Sequence, residues 1–157
     1  MTSTAPAIQF RVDGVPKGQP RPRAFVRGGH AAVYDPGTAE GWKSCIAVAA
    51  KPHIPPTPLA GTIALTVEFI MPRPRAHFRT GKHASELRGD APEHHCSRPD
   101  VDNLTKAVLD ALTDIGMWID DAQIALLGAV KLYGVKPGAN IEIHQVRAAE
   151  IDKEKSA

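Results

Sequence analysis

The sequence predicts one α+β domain, a mixed β-sheet with two main helices packed on it. Three observations carry that prediction. Apolar and polar residues alternate in short segments spread along the chain, most strongly from Gly61 to Met71. A separate stretch, Val101 to Leu112, repeats its apolar residues at spacings of three and four instead. The chain has 157 residues, enough for one core, and shows neither an internal repeat nor a domain linker.

Residues 1–6 are small and polar, and a flexible start is expected. Ile8, Phe10 and Val12 alternate with Gln9 and Arg11, a first strand. Pro16 to Arg23 reads PKGQPRPR, whose prolines rule out regular helix and make a stiff basic loop. Ala24–Val26 and Ala31–Tyr34 flank a Gly-Gly pair and form a hairpin. A helix is expected from Thr38 to Ala50, with Thr38 as N-cap and Trp42, Cys45, Ile46 and Ala49 facing the core. Four prolines between Lys51 and Pro58 end it. Gly61 to Met71 is the next strand, with Glu68 on its polar side, facing solvent or, less simply, the acidic centre described below. Residues 72–97 form a long basic loop without a period, the kind of loop that carries function. Ile124 to Leu132 and Ala139 to Val146 read as strands joined in a hairpin by Lys136-Pro137-Gly138. Residues 147–157 are charged and without a period, so the end is expected to fray.

Composition excludes several classes. The chain is 43% apolar and 23% charged, ordinary for a globular protein. No apolar run approaches the ~20 residues of a membrane span, and the start lacks the pattern of a secretory signal. Two distant cysteines, Cys45 and Cys96, make no disulfide framework, so reduced thiols and a cytoplasmic location are expected. The net charge of +2 is too small to announce a nucleic-acid partner, but its distribution says more. Lys17, Arg21, Arg23 and Arg27 crowd the first basic segment, and Arg73, Arg75, Arg79 and Arg98 punctuate the second. These are candidate DNA-binding residues, spread around a stretch in which acids concentrate.

That stretch is Arg98 to Ile124, RPDVDNLTKAVLDALTDIGMWIDDAQI. Val101, Leu104, Val108, Ala111 and Leu112 make one apolar stripe, while Asp102, Lys106 and Asp110 recur every fourth residue on another face. Asp100 suits the N-cap and Gly116 the left-handed position past the end. Asp100 and Asp102 therefore sit where the helix dipole favours negative charge. Asp120 and Asp121 follow the helix, and the four aspartates occupy positions that could converge. Gathered carboxylates hold hard cations, the usual device for phosphodiester hydrolysis. Lys106, one turn beyond Asp102, can reach a phosphate, whereas Asp110 reads as solvated. An EF-hand reading fails because Leu104 and Thr105 stand where a ligand and a glycine are required. The adjacent His94, His95 and Cys96 lack structural zinc spacing. A DNA-binding module without catalysis is the alternative from a different class.

PDVDNLTK, LDALTDIG and DDAQI together resemble the signature of the RusA-type Holliday junction resolvases, a family often carried by phages and prophages. GVPKGQPRPR resembles the same family's N-terminal element, and the resemblance runs from about Phe10 to Val146. It implies a homodimer that cleaves four-way DNA junctions in recombination and repair, with Mg2+ or, as a substitute, Mn2+. It implies that Asp100, Asp102 and Asp121 bind the metal and that Lys106 is catalytic. Asp120 matches the motif as well.

Overall fold

The computed structural model describes residues 7–20, 23–27, 29–34 and 39–146. The expected flexible ends, residues 1–6 and 147–157, lie outside the described residues, as do Arg21 and Thr38. Among the described residues, six strands and two α-helices follow in the order β1 (Ile8–Asp13), β2 (Arg23–Arg27), β3 (His30–Tyr34), α1 (Glu40–Ala50), β4 (Ile63–Pro72), α2 (Val101–Asp114), β5 (Ile124–Gly134) and β6 (Gly138–Gln145). Four strands form one mixed sheet in the order β1-β6-β4-β5, and β2 and β3 pair as a separate antiparallel hairpin. The α+β class and the two main helices are as expected.

The core lies between one face of the sheet and both helices. Period-two alternation puts Ile63, Leu65, Val67, Phe69 and Met71 of β4 on that face, all buried. Ile141 and Ile143 of β6 and Val12 of β1 continue it sideways. Trp42, Ile46 and Ala50 of α1 and Leu104, Val108, Ala111 and Leu112 of α2 close it from above. The opposite face carries Gln9, Thr66, Glu68 and Glu142, as expected for a sheet covered on one side.

Three expectations need correction. The last two strands do not pair as a hairpin, because β4 lies between β5 and β6 and binds both. A continuous apolar strand can seek a nonlocal partner, and β4, buried at every second position, offers more apolar surface than β6 alone. Cys45 is exposed instead of facing the core, and Ala50 takes the buried place one turn below Ile46. Val101 begins the apolar stripe of α2 but is 40% exposed, as the first residue of the helix.

β4 and β5 run parallel, so the chain between them must cross over, and α2 is the crossover helix. It returns antiparallel to the strands. Its N-terminus therefore stands at the C-terminal end of the parallel pair, where α/β folds place their sites. Residues 73–100 lead into it as a loop held by its own bonds: Arg79 N–H donates to Glu86 O (2.9 Å) and Arg88 N–H to His77 O (2.9 Å). The loop then runs beside the outer edge of β5, where His95 N–H donates to Lys131 O (3.0 Å) and Tyr133 N–H to Glu93 O (2.9 Å).

Candidate active site

Asp100 is the residue before the first turn of α2, with extended backbone (φ −70°, ψ 145°), and its carboxylate makes no capping bond. It is exposed, as is Asp102 in the first turn. Two contacts fix this end of the helix. Lys131 of β5 donates from Nζ to the carbonyls of Ser97 (2.7 Å) and Pro99 (2.8 Å), which pins the segment entering the helix onto the sheet. From the other side the PKGQP segment packs on the helix, with Gln19 N–H donating to Asn103 O (2.9 Å). Gly18 packs closely there: a Cβ would stand 3.0 Å from Asn103 Cβ, so a larger residue would need the side chain to give by a few tenths of an ångström. Gly18, Gln19, Pro20, Arg98, Pro99, Asp100 and Asn103 thus line an open groove, and Gln19 Oε1 is buried in it with no hydrogen-bond partner.

Lys106 follows one turn later and donates to Asp110 Oδ1 at 3.2 Å. Asp110, read from the sequence as solvated, is therefore the partner of Lys106, and only a quarter of its side chain is exposed. The pair runs along the helix face that begins at Asp102, as the every-fourth spacing requires.

Asp120 and Asp121 lie elsewhere. The buried Trp118 donates from Nε1 to Thr113 Oγ1 (2.7 Å) at the C-terminal end of α2, and the chain then turns through a single 3-10 turn, Asp121–Gln123, into β5. Asp120 caps that turn, accepting from Ala122 N–H at 2.8 Å, so its carboxylate has a structural task. Gln123 organises the corner. Its Oε1 accepts from the N–H groups of Ile119 (2.9 Å) and Asp120 (3.1 Å), and its Nε2 donates to Leu59 O (2.9 Å) and Gly61 O (3.1 Å). Asp121 is exposed beside it.

The two acidic pairs therefore stand at opposite ends of α2. Fourteen residues at 1.5 Å per residue put about 20 Å between them. The strand gives the same measure independently, since Ile124 to Lys131 spans about 23 Å of β5. Among the described residues, no three His, Cys, Asp or Glu side chains come together within one chain. Asp100 and Asp102 by themselves fit a hard cation that takes one or two carboxylates and keeps its waters.

The remaining expected site residues divide. Glu68 accepts from Asn140 Nδ2 (2.9 Å) on the sheet face away from α2, so it does not join the acidic residues. Arg98 is exposed and lines the groove beside Asp100, and Lys17 is exposed just before Gly18 in the chain. Arg75 is exposed on the loop, but Arg79 is paired with Glu86 (2.6 Å). Arg73 donates to Pro92 O (2.8 Å) and stacks over the Tyr133 ring, 5.5 Å from its centre. Arg23 and Arg27 begin and end β2. His95 is buried against Tyr133, and burial, aided by the nearby Lys131 charge, holds its pKa below the ordinary histidine value. Sequence reasoning missed Gln123, Lys131, Asn103 and Gln19. For Gln123 a signal existed, since D-x-x-Q is the capping-box pattern. A lone lysine in an apolar strand carried none.

Known proteins resemble this chain at two scales. A family model described as Endodeoxyribonuclease RusA matches residues 13–144. The uncharacterized protein YqaN of Bacillus subtilis strain 168 is 32% identical over 141 residues, covering 90% of this chain and 98% of its own. The crossover junction endodeoxyribonuclease RusA of Escherichia coli K12 is 51% identical over 41 residues, 26% of this chain and 34% of its own length. RusA of Enterobacteria phage 82 matches to the same extent.

Proposed function

Since this chain belongs to the RusA endodeoxyribonuclease family, we propose that it cuts four-way DNA junctions as a magnesium-dependent homodimer serving recombination and repair. One observation carries the reading: Asp100 and Asp102 stand exposed at the N-terminal end of α2, with Lys106 one turn on and a groove bearing Arg98 alongside. The matched RusA proteins overlap this chain over only about a third of their length, so their activity is carried here as a proposal.

Asp100 and Asp102 would hold the cation, and Asp121, at the other end of α2 in the same chain, would join them only from the second copy of the homodimer. When bound, Mg2+ supplies charge neutralisation at the phosphoryl group and an activated water, and Mn2+ substitutes. The protein's own part is positional. Lys131 and Gln19 fix the backbone on either side of Asp100, so the carboxylates wait in place. Lys106, a compact charge, neutralises the scissile phosphate, and Asp110 holds it in the interval. Arg98, Lys17 and Arg75 attract the surrounding phosphates without sequence selection. The cleft between helix and PKGQP segment is open, as a substrate the size of a DNA branch requires.

The test is cleavage of a synthetic four-way junction against a linear duplex, with and without Mg2+, by wild-type protein and by Asp102→Asn, Asp121→Asn and the control Glu40→Gln. Junction cutting that needs Mg2+, survives Glu40→Gln and disappears in both aspartate variants is expected. Tight junction binding without cutting at any metal concentration would favour a non-catalytic binding module instead.

A further inference from the structure

The basic loop between β4 and α2 folds into a small hairpin of its own. The Arg79 and Arg88 N–H groups donate to Glu86 O and His77 O, both at 2.9 Å, and Phe78 pairs with Leu87 between these bonds. Side chains alternate along such a segment. His77 turns inward and meets the Tyr133 ring edge-on, with ring centres 4.7 Å apart. Phe78 therefore turns the other way, onto a cavity of about 510 Å³ bordered by Arg75, Arg79, Thr80 and Arg88. Leu87, opposite Phe78 and 44% exposed, extends the apolar surface beside the ring.

We propose that this cavity holds one unpaired nucleotide of the DNA substrate, its base stacked on Phe78 and its phosphate gripped by Arg75, Arg79 and Arg88. The proposal rests on the nuclease reading above and names the part of the branch that the loop takes. Arg88 is held by Asp90 through Nε (2.9 Å) and Nη2 (3.0 Å), and Arg79 by Glu86 through Nη1 (2.6 Å). A guanidinium carries five N–H donors, so both keep donors for a phosphate while their carboxylate partners fix where they point. Neither Glu86 nor Asp90 borders the cavity. Arg75 makes no hydrogen bond or ion pair among the described residues, so its whole fork is available. Guanidinium forks match a phosphate, and an aromatic face accepts any base. A simple anion needs no ring and an apolar ligand needs no arginine, whereas a nucleotide uses both. An intact duplex offers no such nucleotide, because its bases are stacked on each other, but a branch point does.

The hairpin is anchored where Asp100 is anchored. His77 and Arg73 sit on the Tyr133 ring, and Lys131, two residues earlier on β5, holds the carbonyl of Pro99. These two attachment points are about 7 Å apart along the strand. A strand seated in the cavity thus lies beside the end of β5 that carries Asp100, and a nucleotide held there fixes the branch point relative to the carboxylates.

Binding of the full-length protein to a fluorescent single-stranded thymidine oligonucleotide, without divalent cations and across a salt series, tests this. Phe78→Leu should weaken binding about tenfold, the scale of one stacked base, and leave the salt slope unchanged. Arg75→Gln should weaken binding and lower the slope by about 0.7, one phosphate contact on a single strand. Phe78→Trp supplies a readout that does not depend on lost affinity. Trp42 and Trp118 are buried, so the red-shifted emission that Phe78→Trp adds reports the cavity. The oligonucleotide should quench that emission, and a blunt duplex should not. Equal quenching by the duplex would overturn the unpaired nucleotide. Equal quenching by thymidine monophosphate would overturn the strand in favour of a free nucleotide, and quenching by an acidic peptide alone would overturn DNA as the ligand. Wild-type affinity in Phe78→Leu with unquenched Phe78→Trp overturns the cavity, and the nuclease reading stands if both proteins still cut junctions in Mg2+. Quenching by the oligonucleotide in a protein that cuts no junction at any metal concentration overturns the nuclease reading and leaves the cavity standing.

Discussion

Gln123→Ala is the sharpest probe of how the Asp121 corner is held. The amide makes four hydrogen bonds, two accepted from Ile119 and Asp120 and two donated to Leu59 and Gly61. A net hydrogen bond contributes about 1 kcal/mol, and water can replace part of this half-buried set, so the expected loss is about 2–3 kcal/mol. For a domain of this size that corresponds to roughly 5–10 °C in Tm. Gln123→Glu keeps the acceptor but replaces the donor with an oxygen facing two carbonyls, so it should cost about as much as the two lost bonds, ~2 kcal/mol. Thermal unfolding by circular dichroism measures both variants. Single-turnover junction cleavage should slow in both while the junction Kd stays near wild type, because the corner positions Asp121 without binding phosphates broadly. Wild-type melting of Gln123→Ala would refute the claim that these bonds tie the corner to the segment leading into β4.

Lys131→Met removes two ammonium-to-carbonyl bonds at 2.7 and 2.8 Å and should cost about 2 kcal/mol in urea unfolding. Junction cleavage should also slow in that variant, because Asp100 loses its anchor. Asp110→Asn should leave stability within about 0.5 kcal/mol, as an i,i+4 pair contributes little. Its turnover should nevertheless fall severalfold as Lys106 loses its guide, so wild-type kinetics would count against that role. His95 has its pKa lowered in the folded protein, chiefly by burial, so the unfolded chain binds the proton first. Its contribution to stability is complete above pH 6.5 and is lost as pH falls through the lower folded value. Urea midpoints taken from pH 7.5 downwards should therefore drop less in His95→Gln than in wild type.

The local elements were legible because each follows from periodicity or from a backbone-specific residue. Alternation at Ile63, Leu65, Val67 and Phe69 marks a strand with one buried face whatever its neighbours are. The stripe of α2, its start after Pro99 and its end at Gly116 (φ 79°) are equally local. The motif that carries the family, Asp100 to Asp121, is a matter of residue order and needed no coordinates. Strand order was not legible, because hydrogen bonding between strands is blind to sequence, and only packing decided that β4 separates β5 from β6. Nor could the chain reveal that Lys131, remote in sequence, holds the carbonyl of Pro99, or that Asp110 engages Lys106. Above all, the sequence sets four aspartates within one short stretch and so suggests convergence. Tertiary structure decides otherwise for a single chain: the intervening residues form one continuous helix, and a helix of fourteen residues is a spacer between its two ends.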